Sequence, residues 1–73
     1  MSELLLVDDE IESRQSIRAM IESSEYNYFS VYEAETYEDG LSLLKQLNPT
    51  VLISELSLPD GNGLALCKEA LQW

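Results

Sequence analysis

The chain has one cysteine, no histidine and four basic residues among 73. Each shortage excludes something. Cys67 has no partner for an intrachain disulfide, and a lone cysteine suits a reducing compartment. One Cys without His does not make a zinc site. Arg14, Arg18, Lys45 and Lys68 are scattered against fourteen acids, for a net charge of −10. That argues against a grip on nucleic-acid phosphates, which needs clustered cations. No apolar run reaches membrane-spanning length, and "MSELLLVDDE" has no basic segment ahead of a long apolar core, so neither a membrane span nor a signal peptide is expected. The expected compartment is the cytoplasm. A domain this short buries a modest fraction of its surface and is marginal without disulfides, metal or self-association.

What is present is alternation. Glu3–Val7 is a short apolar run suited to a strand buried on both faces. Ile11, Ile17, Met20 and Ile21 follow at mostly helical spacing, predicting a helix over 12–23. Residues 28–34, "YFSVYEA", predict a second strand. Thr36 caps a second helix, with Asp39 three residues on, and Leu41, Leu44 and Leu47 form its packing stripe beside Leu43. Asn48-Pro49 ends it, since proline disfavours helical geometry in the residue before it. "VLISE", 51–55, is a third strand, "LSLPDGNG" a loop, and Leu64, Cys67, Ala70 and Leu71 mark a third helix running to Trp73. Cys67 reads as a small buried apolar residue. The order β-α-β-α-β-α implies parallel strands with right-handed crossovers.

In such sheets, sites form at the carboxyl ends of the strands. Asp8 and Asp9 follow strand one and Glu55 ends strand three. If those strands are neighbours, three carboxylates meet at one rim and suit a hard divalent cation such as Mg²⁺, whose charge offsets their repulsion. A carboxylate beside such a cation can also accept a phosphoryl group. Two plainer readings stand beside this one: Asp8, Asp9 and Glu10 as a solvated loop at a helix N-terminus, and Glu55 as a surface acid. Glu33, Glu35 and Glu38 read as a solvated face, and Tyr26, Tyr28, Phe29, Tyr32 and Tyr37 as local packing.

"LLLVDDE", joined at the third strand to "VLISELSLPDGNGL", resembles the receiver domain of bacterial two-component response regulators, from Leu4 to the third helix. The resemblance implies a flavodoxin-like α/β fold, here three parallel strands in the order 2-1-3 with helices on both faces, and a role in phosphorelay signalling with a histidine kinase as phosphodonor. It places Mg²⁺ on Asp8, Asp9, Glu55 and the backbone carbonyl of Ser57, puts Glu55 at the phosphoacceptor position, and gives Pro59 and Gly63 to the loop leading into the third helix.

Two departures qualify it. The family has Asp where this chain has Glu55, and the extra methylene moves the carboxylate outward by about 1.5 Å. Near-attack geometry is sensitive to such a displacement, so ordinary phosphorylation is not expected. The chain also supplies three of the family's five β-α units, so residues 1–73 read as a partial receiver. It lacks the switch hydroxyl and active-site lysine that follow strands four and five, and Lys45 and Lys68, on predicted helices, do not replace them. Strand three is then an exposed edge through which two copies can pair. A fragment of a longer product explains the length equally well. The competing readings are a pseudo-receiver interaction module that never takes phosphate and, less suited to adjacent acids without a basic phosphate clamp, a Mg²⁺-dependent phosphatase. The expectation is a protein that is not an enzyme.

Overall fold

The computed structural model describes residues 2–72. It contains β1 (Glu3–Val7), α1 (Ile11–Glu22), β2 (Ser30–Ala34), α2 (Tyr37–Leu47), β3 (Val51–Ser54), β4 (Ser57–Leu58), β5 (Gly61–Asn62) and α3 (Gly63–Leu71). The main sheet is parallel in the order β2-β1-β3, as expected. Its register pairs Val7 with both Ala34 and Ser54, so the three strands end level.

β1 is central, and its apolar run is buried on both sides from Leu4 to Val7. Leu5 and Val7 face α2 and α3, where they form the core with Ala34, Leu44, Leu58 and Leu66. Leu4 faces the α1 side, where it floors an apolar trough of about 470 Å³ with Ile17, Ile21, Phe29, Val51 and Ile53. The α1 layer is thinner: Ile11 and Met20 are exposed, and the helix has no fully buried residue.

The helix ends follow local chemistry. Thr36 Oγ1 accepts the Asp39 N–H at 3.1 Å and opens α2. Asn48 closes it in the left-handed region at φ 46°, returning its N–H to the Leu44 carbonyl.

Four readings of the sequence change. Tyr28 and Phe29 precede β2 and stack on each other at 4.8 Å, so that strand begins at Ser30. Glu55 lies just past β3, which ends at Ser54. The segment read as a loop holds a small antiparallel ladder, Ser57 with Asn62 and Leu58 with Gly61, anchored by the burial of Leu58. The buried side of α3 is Gly63 and Leu66; of the row Leu64, Cys67, Ala70 and Leu71, Ala70 packs against the core as read, whereas Leu64, Leu71 and Cys67 are exposed. Both rows have helical spacing, and the close seat of Gly63 on the Glu55 backbone selects between them. The expected end of this helix at Trp73 lies outside the described residues.

Candidate functional site

The parallel ladder carries the tips of β1 and β3 to one place. The Glu55 N–H donates to the Val7 carbonyl at 2.8 Å, and the Asp8 N–H to the Ala34 carbonyl at 3.0 Å. The turn bearing Asp8 and Asp9 therefore stands beside the turn bearing Glu55, at the carboxyl edge of the sheet.

The acids occupy different environments. Asp8 is 4% exposed, and its Oδ1 accepts the Glu10 N–H at 2.9 Å. Asp9 and Glu10 are exposed. Glu10 is the residue ahead of α1, yet its side chain makes no capping bond; the turn is closed instead by the Asp8 carboxylate. Glu55 is exposed and folds back, its Oε1 accepting the Leu56 N–H at 3.1 Å. Ser57 lies in β4 and Pro59 at the exposed tip of the same hairpin. The Gly63 N–H donates to the Leu56 carbonyl at 2.9 Å, and a Cβ at this position would overlap the Glu55 carbonyl oxygen.

Carboxylate and carbonyl oxygens are the donors a hard divalent cation takes. The donor chemistry therefore fits Mg²⁺, but the acids do not form a cage: among the described residues no group of three His, Cys, Asp or Glu side chains comes together to hold a metal ion.

Behind the rim lies a cluster absent from the sequence reading. Arg14 and Arg18, one turn apart on α1, both reach Glu33 on β2. Arg14 Nε meets Oε1 at 2.9 Å, and Arg18 Nε meets Oε2 at 2.6 Å. Arg14 Nη1 also donates to the Asp8 carbonyl at 2.7 Å, and Arg18 Nη2 to the Val31 carbonyl at 3.0 Å. Partial burial opposes the charge on Glu33, but the hydrogen bonds and positive charge of Arg18 and Arg14 outweigh it and hold its carboxyl below the ordinary range. Glu33 is thus an ion-pair anchor and not part of a solvated face, whereas Glu35 and Glu38 are exposed. The i, i+4 arginines and the shared parity of Val31 and Glu33 were the available signals.

A three-stranded parallel sheet flanked by helices on both faces, with an acidic rim at its carboxyl edge, defines a flavodoxin-like α/β module. The sequence profile of the response regulator receiver domain matches residues 4–72, and the chain belongs to that family. The KDP operon transcriptional regulatory protein KdpE of Escherichia coli (strain K12) is 34% identical over 73 residues, covering 100% of this chain and 31% of the relative. An uncharacterized response regulatory protein of Staphylococcus epidermidis is 33% identical over 66 residues, covering 90% of this chain and 26% of its own length. The transcriptional regulatory protein HptR of Staphylococcus aureus is 28% identical over 69 residues, covering 94% and 27%. The chain thus spans about a third or less of these relatives.

Proposed function

We propose that residues 1–73 are the first three β-α units of a receiver in a phosphorelay, and that Glu55 keeps the module from ordinary phosphorylation. The observation that carries this reading is the placement of Glu55: it stands beside the Asp8 turn, with one carboxylate oxygen on the Leu56 N–H, and it is the residue that the family resemblance matches to the phosphoacceptor. Divalent-cation binding by Asp8, Asp9, Glu55 and the Ser57 carbonyl is weak in this reading, since among the described residues no three acidic side chains come together to hold an ion. The module is cytoplasmic and is not an enzyme; turnover of a generic phosphate ester above buffer would revive the phosphatase reading. Its partner is a histidine kinase. It makes no direct contact with nucleic acid.

Incubation with a small acyl phosphate and Mg²⁺, followed by intact mass, tests the central point. The expected result is an unchanged mass under conditions that label an ordinary receiver. A phosphoryl adduct on Glu55 overturns it. Glu55→Asp is expected to gain the adduct, which would show the extra methylene to be the obstacle.

One observation favours a second reading, an interaction module that pairs with its own copy. Val51–Ser54 carries no charge, and among the described residues nothing pairs with its outer side. The β2 edge, by contrast, has its Val31 carbonyl occupied by Arg18. Leu52 faces α2 and α3 whereas Val51 and Ile53 face the trough. Antiparallel pairing that keeps both faces in register therefore sets Leu52 opposite Leu52 or Ser54 of the second copy. Sedimentation equilibrium showing a folded monomer at high concentration would remove this reading.

A further inference from the structure

We propose that Arg14 is a positioning residue for the acidic rim, distinct in role from its neighbour Arg18. The two arginines look equivalent: each places Nε on one oxygen of Glu33 and a second guanidinium nitrogen on a backbone carbonyl. The carbonyls differ. Arg18 holds Val31, in the body of β2. Arg14 holds Asp8, in the turn that presents the acids.

The Asp8 carbonyl belongs to the peptide plane that leads into Asp9. Arg14 fixes that plane from one side at 2.7 Å. The next plane is fixed by its own N–H, which Glu10 donates to Asp8 Oδ1 at 2.9 Å. Asp9, exposed and with no hydrogen bond from its own side chain among the described residues, is suspended between these two pinned planes. Its direction is set by them. Arg14 can do this because its own position is fixed: its side chain is 12% exposed, against 35% for Arg18, and Glu33 anchors the other end of the same planar fork to β2. Charge-assisted bonds of this kind are about twice as strong as neutral ones, so the hold is stiff. Lysine offers a point charge and no fork, and cannot span Glu33 and Asp8 in the same way.

The inference deepens the proposal that this rim holds a divalent cation, and rests on it for its first readout only. Three variants, Arg14→Met, Arg14→Lys and Arg18→Met, are compared with the unaltered chain. Mn²⁺ affinity is measured by electron paramagnetic resonance, and exchange of the Glu10 amide by NMR. Residues that orient metal ligands typically affect affinity by about 10- to 100-fold when replaced. Both Arg14 variants are expected to lose Mn²⁺ affinity within that range and to speed Glu10 exchange. Arg18→Met is expected to leave both near the starting values while lowering the melting temperature, since it also breaks a bond to Glu33. Equal effects of Arg14→Met and Arg18→Met, in step with their loss of stability, would reduce Arg14 to a structural role and overturn the proposal. If the unaltered chain binds no Mn²⁺, the cation reading fails, and Glu10 exchange alone decides: faster only in the Arg14 variants upholds the positioning role, and uniform exchange removes it.

Discussion

The Asp60 carboxylate accepts the Tyr37 N–H at 2.6 Å from 23 positions away in the sequence, and its other oxygen accepts the Glu38 N–H at 3.0 Å. The hairpin that follows Glu55 therefore caps the N-terminus of α2 from outside the helix. Gly61 completes the seat: a Cβ there would press 2.8 Å from the Tyr37 ring.

Asp60 accordingly couples α2 to the rim loop. The Tyr37 N–H, opposed by slight desolvation and assisted by the Glu38 N–H, holds the Asp60 carboxyl below its ordinary value of 3.8. A lowered folded value means stabilisation that is present above pH 3.8 and lost as pH falls through the folded value. Asp60→Asn should therefore speed exchange of the Tyr37 and Glu38 amides at neutral pH, and the unaltered chain should match the variant once Asp60 is protonated. Unchanged protection at neutral pH would show that Asp60 does not hold these two amides.

Glu33 gives a second acid-sensitive contact. Its carboxyl sits below the ordinary 4.5, with burial opposing and Arg18 and Arg14 prevailing, so its contribution is full above that value and disappears as pH falls through the folded one. Glu33→Gln should cost roughly 1.5–3 kcal/mol at pH 7, the range for hydrogen bonds to charged groups. It should also flatten the decline of stability in the acid window. Urea titrations at pH 7 and pH 3 check both; an undiminished acid slope would place the sensitivity elsewhere.

Two neighbours on α3 should respond in opposite ways. Leu66 is 0% exposed, and Leu66→Ala should cost about 2–5 kcal/mol through lost contacts and the cavity left behind. That is a large share of the stability of a chain this small, roughly 4–11 kcal/mol at the usual per-residue range. Cys67→Ala, on the exposed side, should stay within about 0.5 kcal/mol. Thermal unfolding of the pair checks the orientation of the helix, and comparable losses would mean that it is rotated.

Gly63 is required for space, not for an unusual backbone angle, because its φ is not positive. The atom that an added methyl would meet is the Glu55 carbonyl oxygen, which is backbone and cannot step aside. Gly63→Ala should cost about 1–3 kcal/mol, as overpacking does, and should shift the NMR signals of Glu55 and Leu56. A neutral effect on stability would show that α3 can slide away from the rim.

The particular residues show what each level of description holds. Apolar run, helical spacing and proline placed β1, α2 and β3 within a residue or so, and β-α alternation with the family resemblance gave the order 2-1-3. The same rules placed Asp8 and Glu55 on adjoining tips, since parallel ladders bring strand ends level. They did not reach the Glu33 cluster, because nothing in the spacing of Arg14 and Arg18 names a partner 19 and 15 positions away. Nor did they find the β4-β5 ladder, whose two-residue strands have no period to detect.

The amino-acid order by itself determined the alternation of elements, the cap at Thr36, the stop at Asn48-Pro49, and the crowding of acids after β1, because these depend on backbone preferences and neighbours a few residues apart. Tertiary packing alone decided which side of α3 is buried, that Asp60 caps α2, and that Glu33 takes both arginines. Those outcomes turn on distances between segments far apart in the chain, and short-range periodicity carries no record of such distances.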